Sequence, residues 1–402
     1  MLDVAIIGAG PAGSIAGAML ARRGRSVVAL EATTFPRFQI GESLLPRSVD
    51  LLAEAGLLEA VEAQRFMRKA AAVFLRGNER ERYAFAEAFP GQRPQTWQVT
   101  RADFDQTLAT AARRAGVDVR FAHRVDAVSF GPGGAVLAVT DLETEHAFEL
   151  RARKVLDCSG YGRVLAKLLG LEAPPTLGPR RALFTHVEGD LRPEGPDEGD
   201  IWVCIHPRGA WIWIIPFSNG RTSVGVVGPK ELLEGHGSDR DTLFALLRSE
   251  PNAARRLEGA RPVLRTARLE GWTAQVTRTW GPDWAITGNA GDFLDPVFSS
   301  GVTLAMESAA LAAKLFDREL AGAAVDWETE YAATMLRAVG SFKCFVDSWY
   351  AGDLPKILLA TNKSDKIKRA ITSVLAGYVL DESNPFVRNG AGTLRALAQL
   401  VP

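Results

Sequence analysis

The feature that most constrains the fold is a glycine-rich turn near the N-terminus, between an apolar strand and a helix of small residues. Residues 4–7 form an apolar run typical of a buried parallel strand. The turn G-A-G-P-A-G follows at residues 8–13, a helix is predicted over 14–23, and a second strand over 26–30 ends at Glu31. This order predicts a Rossmann-type nucleotide-binding unit.

Each part of this motif has a physical role beside a bound dinucleotide. Gly8 allows the tight turn, Gly10 lets the backbone approach a pyrophosphate at the helix N-terminus, and Gly13 lets the helix pack against the strand. Ala12 belongs to the same turn and is included among the predicted cofactor contacts. Glu31 lies 23 residues after Gly8, where an acid can bind two ribose hydroxyls, which favours FAD or NAD over NADP.

Charge and composition argue against several classes of function. The 402 residues include 47 basic and 47 acidic side chains, so no broad attraction to nucleic acid or an anionic membrane follows. No apolar run approaches the ~18 residues that span a bilayer. Residues 1–3 lead directly into the first strand, which predicts no signal peptide and a cytoplasmic protein. The three cysteines lack metal spacing, so no metal site is predicted.

A second cofactor loop is predicted at Gly41, Glu42 and Ser43, just before a helix. The alternative is an ordinary helix start with Ser43 as its N-cap. Arg101 begins another predicted helix, which runs to about residue 115, and we include it among the cofactor contacts. A strand over 154–157 runs into D-C-S-G, an arrangement that a nucleotide fold places beside its cofactor.

The tryptophans of the segment W-I-W-I-I-P point to one side of a predicted strand. Trp211 and Trp213 are two residues apart, so both indoles share one face, and the isoleucines at 212 and 214 share the other. Pro216 ends the strand because it has no N–H for pairing. Strands predicted over 201–206 and 221–227 place this strand centrally in a sheet. The alternative is a strand that is simply buried on both faces.

Lys69 lies where a helix gives way to a predicted strand within residues 66–74. Spacing alone indicates a solvated surface lysine. The charged residues 79–82 that follow are predicted to form a turn.

Another glycine-rich segment connects a strand beginning at Trp284 with a helix predicted over 302–315. The backbone N–H groups of Ser300, Gly301 and Val302 would lie near that helix N-terminus, where they could contact a flavin edge or a small anion. The alternative is an ordinary strand-to-helix loop. From Trp327 onward the pattern is mostly helical and carries no predicted chemistry.

With these signatures in this order, residues 1 to about 320 resemble the FAD-dependent monooxygenases of the para-hydroxybenzoate hydroxylase type. Within that superfamily the chain resembles the flavin-dependent halogenases. The shared marks are W-x-W-x-I-P at 211–216, a lysine at 69 after Phe66, and D-P-V-F-S-S-G-V at 295–302. The resemblance implies an α/β fold in which a GxGxxG FAD-binding domain is interleaved with an antiparallel β-sheet substrate domain, followed by a helical C-terminal segment.

The predicted domains are discontinuous. FAD binding is assigned to residues 1–60, 96–165 and 271–325, and substrate binding to 61–95 and 166–270. Residues 326–402 form the helical C-terminal region.

The resemblance also implies roles for single residues. Trp211 and Trp213 would separate flavin from substrate, and Ser300 and Gly301 would bind chloride or bromide. Further FAD contacts are implied at Gly288, Asn289, Pro296, Gly301 and Val302. A separate flavin reductase would supply reduced FAD, which reacts with oxygen and halide to give hypohalous acid. Lys69 would then hydrogen-bond this reagent, or form a haloamine, beside the aromatic substrate.

Two departures from the family pattern refine these expectations. Tryptophan halogenases carry a glutamate where this chain has Phe298, which favours an activated phenol or pyrrole as the substrate. Asn289 replaces the aspartate of the usual Gly-Asp-Ala contact, so FAD affinity is expected to be modest. Because the chain is short after the halide loop, both a free and a carrier-tethered substrate remain open. The rival functions are a monooxygenase or reductase of the same fold, and a non-catalytic FAD-binding partner.

Overall fold

The computed structural model describes residues 1–174, 178, 180–234, 237–272, 275–292 and 294–401, so Phe293 of the glycine-rich segment lies outside the described residues. The strands are β1 (Leu2–Ile7), β2 (Val27–Leu30), β3 (Met67–Lys69), β4 (Ala71–Arg76), β5 (Glu79–Ala84), β6 (Thr96–Gln98), β7 (Asp118–Arg120), β8 (His123–Gly131), β9 (Gly134–Asp141), β10 (Ala147–Asp157), β11 (Glu172–Ala173), β12 (Arg181–Glu188), β13 (Ile201–His206), β14 (Ala210–Pro216), β15 (Arg221–Gly228), β16 (Arg261–Pro262), β17 (Ala267–Glu270), β18 (Gln275–Val276), β19 (Trp280–Gly281) and β20 (Trp284–Ile286). The α-helices are α1 (Pro11–Ala21), α2 (Arg47–Ala55), α3 (Leu58–Glu62), α4 (Arg101–Arg114), α5 (Val164–Leu168), α6 (Asp239–Ser249), α7 (Pro251–Arg256), α8 (Ser300–Leu320), α9 (Thr334–Ala351), α10 (Asp353–Leu359), α11 (Asp365–Leu375), α12 (Pro385–Arg388) and α13 (Gly390–Ala398).

The first large sheet carries the N-terminal strands. Its order is β19-β20-β10-β1-β2-β7, and the five strands from β20 to β7 are parallel. β9 pairs antiparallel with β10, and β8 pairs with β9. Residues 4–7 of β1 are all buried, which explains why they read as an unbroken apolar run. The helix α1 packs against α4 and α8, and the glycine turn lies at the carboxyl end of β1.

The second large sheet has the order β16-β12-β15-β14-β13-β4-β5, and β17 adds to β12. Its pairs are antiparallel, except that β13 and β4 are parallel. The predicted central place of the tryptophan strand is confirmed, since β14 lies between β13 and β15. Ile212 and Ile214 pack with α6 in one apolar core, while Trp211 and Trp213 face the other.

Four local predictions were wrong. The helix predicted over 14–23 begins at Pro11 and ends at Ala21. Residues 79–82, predicted as a turn, form strand β5, because the two-residue turn is Gly77-Asn78 and an edge strand tolerates charged side chains. The strand predicted over 154–157 is the end of a longer strand, β10, which begins at Ala147. The helix predicted over 302–315 begins at Ser300 and ends at Leu320. The predicted helical C-terminal region is confirmed by α9 to α13.

Candidate functional site

A cavity of about 420 Å³ is lined by residues from both large sheets and from the N-terminus of α8. It brings together most of the predicted site residues, namely Gly8, Gly10, Ala12, Glu31, Gly41, Glu42, Ser43, Arg101, Trp211, Trp213, Asn289, Pro296, Gly301 and Val302. The predicted residues that do not line it are Gly13, Lys69, Gly288 and Ser300. Cys158, Ser159 and Gly160, which follow β10, also line this cavity.

The glycines of the first turn differ in which atoms a side chain at their position would meet. Gly8 has a φ of +99°, and a Cβ there would lie 2.6 Å from the Cys158 carbonyl oxygen. A Cβ on Gly13 would lie 2.0 Å from the Gly8 carbonyl oxygen. At Gly10, by contrast, the nearest atom is 3.7 Å away, on Arg37. Gly8 and Gly13 are therefore required by the packing of the protein itself, whereas Gly10 leaves open space at the helix N-terminus where a pyrophosphate would bind.

Glu31 is held in place at the end of β2. Its Oε2 accepts a hydrogen bond from the Ala9 N–H at 3.0 Å. Its Oε1 accepts from the Thr33 N–H at 3.0 Å and from the Thr33 hydroxyl at 2.6 Å. These bonds fix a carboxylate at the cavity wall, and its remaining lone pairs can accept two ribose hydroxyls. The residues present at this end of the cavity therefore fit the adenosine part of FAD.

The second loop is fixed from two sides. Arg101 pairs with both oxygens of Asp105, at 2.7 and 2.9 Å, and its Nη1 donates to the Ile40 carbonyl at 2.9 Å. Glu42 Oε1 lies 2.7 Å from His186 Nε2, on β12 of the second sheet. The helix-cap alternative for Ser43 is wrong, because α2 begins at Arg47 and Ser43 forms a β-bridge with Gln98.

The two indoles of β14 are buried in the cavity wall. Trp211 and Trp213 have ring centroids 5.8 Å apart. The Trp213 Nε1–H donates to the Ser223 hydroxyl at 3.0 Å, and the Trp211 Nε1–H donates to the Tyr350 hydroxyl at 3.1 Å. Gly225 lies opposite Trp213 on β15, where a Cβ would come within 2.3 Å of the indole. Hydrogen bonds thus fix both rings, and the absence of a side chain at Gly225 leaves room for the Trp213 indole.

Lys69 is not a surface residue, so the interpretation from spacing alone was wrong. Its side chain is 1% exposed, and its Nζ donates to the Ser43 hydroxyl and the Leu44 carbonyl, both at 2.8 Å. Burial lowers the pKa of Lys69 to about 7, although the nearby Asp200 carboxylate acts in the opposite direction. Lys69 itself does not line the cavity, but Ser43 does, so one side chain separates the amine from that space.

Polar side chains share the face of the small sheet that carries Lys69. β3 and β6 pair Lys69 with Thr96 and Met67 with Gln98, so these four side chains point to one face. Gln98 Nε2 donates to the Gly199 carbonyl at 3.1 Å, which fixes the orientation of the amide. Gln98 Oε1 and Thr96 Oγ1 are buried without a hydrogen-bond partner among the described residues. These two unpaired oxygens leave hydrogen-bonding capacity beside the buried amine that a water or a ligand could satisfy.

The glycine-rich loop ends at the N-terminus of α8. The first N–H groups of α8, like those of any helix, have no intrahelical partner. Ser299, with a φ of +57°, precedes them, and its side chain makes no capping bond to them. Gly301 and Val302 line the cavity, whereas the Ser300 side chain is buried outside it. Gly288 packs against α8, because a Cβ there would lie 2.5 Å from the Ala305 Cβ. The N-terminus of α8 can therefore hold a flavin edge or a halide beside the cavity.

Phe298, for which the resemblance implied a glutamate in tryptophan halogenases, is buried against aromatic rings of α9. Its ring contacts Phe345 and Trp349 edge-on, with centroids 5.9 and 5.8 Å apart. No carboxylate therefore stands at this position.

Some residues of the site were not found from the sequence. His186, Ser223 and Tyr350 contact predicted site residues, but each is an ordinary polar residue in an unremarkable stretch. Gly225 carried a weak signal, since an isolated glycine within a strand often marks a close approach. Asp295 belongs to the loop motif recognised in the sequence, but its hydrogen bond to Tyr350 was not predicted, because the two residues lie 55 positions apart.

Comparison with known proteins agrees with this geometry. The FAD binding domain family matches residues 1–339, so the chain belongs to this FAD-binding family and its cofactor is FAD. Among its relatives are flavin-dependent halogenases. A 1H-pyrrole-2-carbonyl-[peptidyl-carrier protein] brominase of Pseudoalteromonas luteoviolacea is 29% identical, over 82% of this chain and 80% of the relative. A tryptophan 2-halogenase of Chondromyces crocatus is 33% identical over 79% of this chain, which spans 62% of that longer protein.

A solved structure is similar over the whole length. The crystal structure of a flavoprotein/dehydrogenase from Cytophaga hutchinsonii has a TM-score of 0.95 and 41% identity, covering 99% of this chain and 98% of that one. Among the described residues, no helix is both long and apolar enough to cross a membrane, and no acidic, histidine and cysteine side chains cluster as a metal site.

Proposed function

We propose that the protein is an FAD-dependent halogenase that uses oxygen and chloride or bromide to halogenate an electron-rich aromatic ring. The observation that carries the proposal is the position of Lys69. Its amine is buried one side chain away from a cavity whose wall contains both tryptophans of β14. The halogenase relatives support the same activity.

The site residues would separate two steps of the reaction, the oxidation of halide beside the flavin and the halogenation of the substrate near Lys69. Reduced FAD, when bound, supplies the oxygen chemistry that oxidises the halide. The N–H groups of Ser300 and Gly301 would hold that halide, since a helix N-terminus favours an anion. Trp211 and Trp213 would keep the organic substrate away from the flavin. This division confines the oxidising step to the FAD cavity.

Lys69 would receive the electrophilic halogen on the other side. A pKa of about 7 leaves much of this amine neutral at neutral pH, and a neutral amine can accept a hydrogen bond from hypohalous acid or form a haloamine. The free acceptors on Gln98 and Thr96 suit the hydroxyl group of such a reagent or of a phenol. Holding the reagent in one place restrains an electrophile that otherwise reacts broadly.

The substrate class follows from Phe298 and from the relatives. Without a carboxylate at this position, the ring must be activated by itself, as a phenol or a pyrrole is. The brominase relative is named for a pyrrole on a carrier protein, so a carrier-tethered pyrrole and a free phenol are both substrates to test. The tryptophan 2-halogenase relative adds indole to this set.

The proposal includes a partner and a domain division. A separate flavin reductase would supply reduced FAD, so the enzyme would work as a two-component system in the cytoplasm. Residues 1–60, 96–165 and 271–325 would bind FAD, residues 61–95 and 166–270 would bind the substrate, and 326–402 would support both. The presence of two large sheets supports this division, since one sheet would form the core of each of the first two units.

The halogenase relatives do not favour the alternative function, but the description of one solved structure gives a reason to test it. The Cytophaga hutchinsonii protein, which is 41% identical over nearly the full chain, is described as a flavoprotein/dehydrogenase. The second candidate is therefore a monooxygenase or reductase of the same fold that does not halogenate.

An activity assay separates the two candidates. The protein is supplied with FAD, a flavin reductase, NADH, oxygen and bromide or chloride, and products from a phenol, a pyrrole thioester and an indole are followed by mass spectrometry. We expect a halogenated product that requires halide and oxygen. A hydroxylated or reduced product that forms equally well without halide would establish the second candidate instead. A reaction mixture without the protein controls for chemistry of the reductase and free flavin.

A further inference from the structure

The hydroxyl group of Tyr350 connects two parts of the site that belong to different elements. Tyr350 lies near the end of α9, in the C-terminal region for which the sequence predicted no chemistry. Its hydroxyl donates to Asp295 Oδ2 at 2.7 Å and accepts from the Trp211 Nε1–H at 3.1 Å. One oxygen atom therefore links the indole of β14 to the glycine-rich loop.

Asp295 extends this link to the start of α8. Its other oxygen, Oδ1, accepts a hydrogen bond from the Val297 N–H at 3.1 Å. That bond caps the short helical turn Pro296–Phe298, which leads through Ser299 into Ser300. A shift of the Asp295 carboxylate would therefore move the N–H groups at the beginning of α8.

The surroundings of Asp295 are apolar, with one nearby cation. The side chain is 2% exposed, and burial raises its pKa to about 6, against the Tyr350 and Val297 hydrogen bonds and the charge of Arg180. The Arg180 guanidinium lies 3.4 Å from the centroid of the Tyr350 ring. The pKa of the Tyr350 phenol is raised well above its usual range by burial and by Asp295. Of this hydrogen-bonded pair, only the Asp295 carboxyl group therefore titrates near neutral pH.

We propose that Tyr350 is a positioning residue that, through Asp295, holds the halide loop and the Trp211 indole in one arrangement. This inference rests on the proposed function, because it assigns the loop a halide. The Asp295 carboxylate places a buried negative charge in the loop that leads into the N–H groups assigned to the halide. Halide affinity is therefore highest when Asp295 is protonated and falls as the pH rises through about 6.

The test measures bromide binding directly, by quenching of tryptophan fluorescence, between pH 5 and 8.5. This readout needs no turnover and no bound flavin. For the unmodified protein we expect the dissociation constant to rise about 10-fold across this range, with a midpoint near pH 6. Asp295→Asn, which cannot ionise, should lose this rise. A rise that persisted in this variant would contradict the role of Asp295, because its source would then be another group such as the buried Asp292 carboxyl of the same loop, whose pKa is also raised to about 6.

Tyr350→Phe keeps the ring and the Arg180 contact but removes the hydroxyl. Two changes are expected. At pH 8.5, where Asp295 is ionised, bromide should bind about 10-fold more weakly, because the loop has lost its anchor. The midpoint should also move to higher pH, since the lost hydrogen bond is one that lowers the pKa of Asp295. A loss of folding alone would not shift this midpoint.

Tyr378→Phe is the matched control. The Tyr378 hydroxyl also donates to a carboxylate, Asp50 Oδ2, at 2.7 Å, but Tyr378 does not line the cavity. This variant should keep the profile of the unmodified protein. If bromide binds with a midpoint near pH 6 and Tyr350→Phe changes nothing, the positioning role is wrong and the halogenase proposal stands. If no bromide binds to the unmodified protein at any pH, both are overturned.

Discussion

At the scale of single residues, burial decides what Lys69 can do. A lysine in water has a pKa near 10.4 and is a poor acceptor, because it is almost always protonated. In this protein the amine donates hydrogen bonds to Ser43 and Leu44, and its removal from water lowers its pKa to about 7. The same burial that costs stability thus produces the neutral amine that the proposed chemistry needs.

This depressed pKa has a measurable effect on stability. Between pH 7 and 10 the unfolded chain binds a proton at Lys69 that the folded chain does not, so this residue makes stability rise with pH. The free energy of unfolding should gain about 1.4 kcal/mol per pH unit between pH 8 and 9.5 relative to Lys69→Met. Chemical denaturation of both proteins at several pH values measures the difference. Parallel curves would mean that the amine is solvated and has an ordinary pKa.

The sequence predicted residue roles unevenly. Gly8, Gly10 and Glu31, which the sequence predicts as cofactor contacts, line one cavity, and their signal is local because it lies within one strand-turn-helix unit. Lys69 was recognised only through resemblance, since its burial depends on loops from elsewhere in the chain. His186 and Tyr350 were missed, because their partners lie 144 and 55 residues away and a single sequence contains no record of such contacts.

At the scale of elements, the glycines of the first turn have two different roles, one in the packing of the protein and one in cofactor binding. Gly13 lies where α1 touches the preceding turn, and Gly10 lies where the helix opens to the cavity. The two positions belong to one motif but serve different partners, the protein in one case and the cofactor in the other.

Two alanine substitutions test this separation. Gly13→Ala should cost about 3 kcal/mol of unfolding free energy or more, since its Cβ would lie 2.0 Å from a carbonyl oxygen. Gly10→Ala should leave the apoprotein's stability nearly unchanged but weaken FAD binding about 10-fold or more, by occupying the space for the pyrophosphate. Thermal unfolding and FAD fluorescence titration give the two readings. A Gly10→Ala protein with unchanged FAD affinity would show that the pyrophosphate does not approach this turn.

Elements were predicted well where their pattern was strong. The first strand and the three strands around the tryptophans agree with the structure within two residues, because buried strands have local signatures. The helix after the glycine turn begins at Pro11, three residues before its predicted start, because proline is favoured at the first helical position. β5 was missed because its edge position allows the charged residues E-R-E-R, which read as a turn. The start of α8 was placed two residues late, because Ser299 rather than Gly301 adopts the left-handed conformation before it.

At the scale of the whole molecule, two sheets meet around one cavity. The first sheet and α1 present the glycine turn and Glu31, while the second sheet presents Trp211 and Trp213. α9 packs behind the glycine-rich loop, and Tyr350 on α9 hydrogen-bonds to Asp295 of that loop and to Trp211 of the second sheet. The fold class followed from the order of motifs along the chain, but the shared cavity depends on how the sheets face each other, which only the structure shows.

The central claim is that Lys69 holds the electrophilic halogen beside the substrate, and a scavenger experiment tests it most directly. The unmodified protein and Lys69→Met turn over bromide and a phenol in the presence of excess methionine, which consumes free hypobromous acid. The unmodified protein should give bromophenol despite the scavenger. Lys69→Met should give methionine sulfoxide but at least about 100-fold less bromophenol, because the reagent forms but is no longer held. Equal yields of bromophenol from both proteins, or hydroxylated phenol from both, would contradict the account.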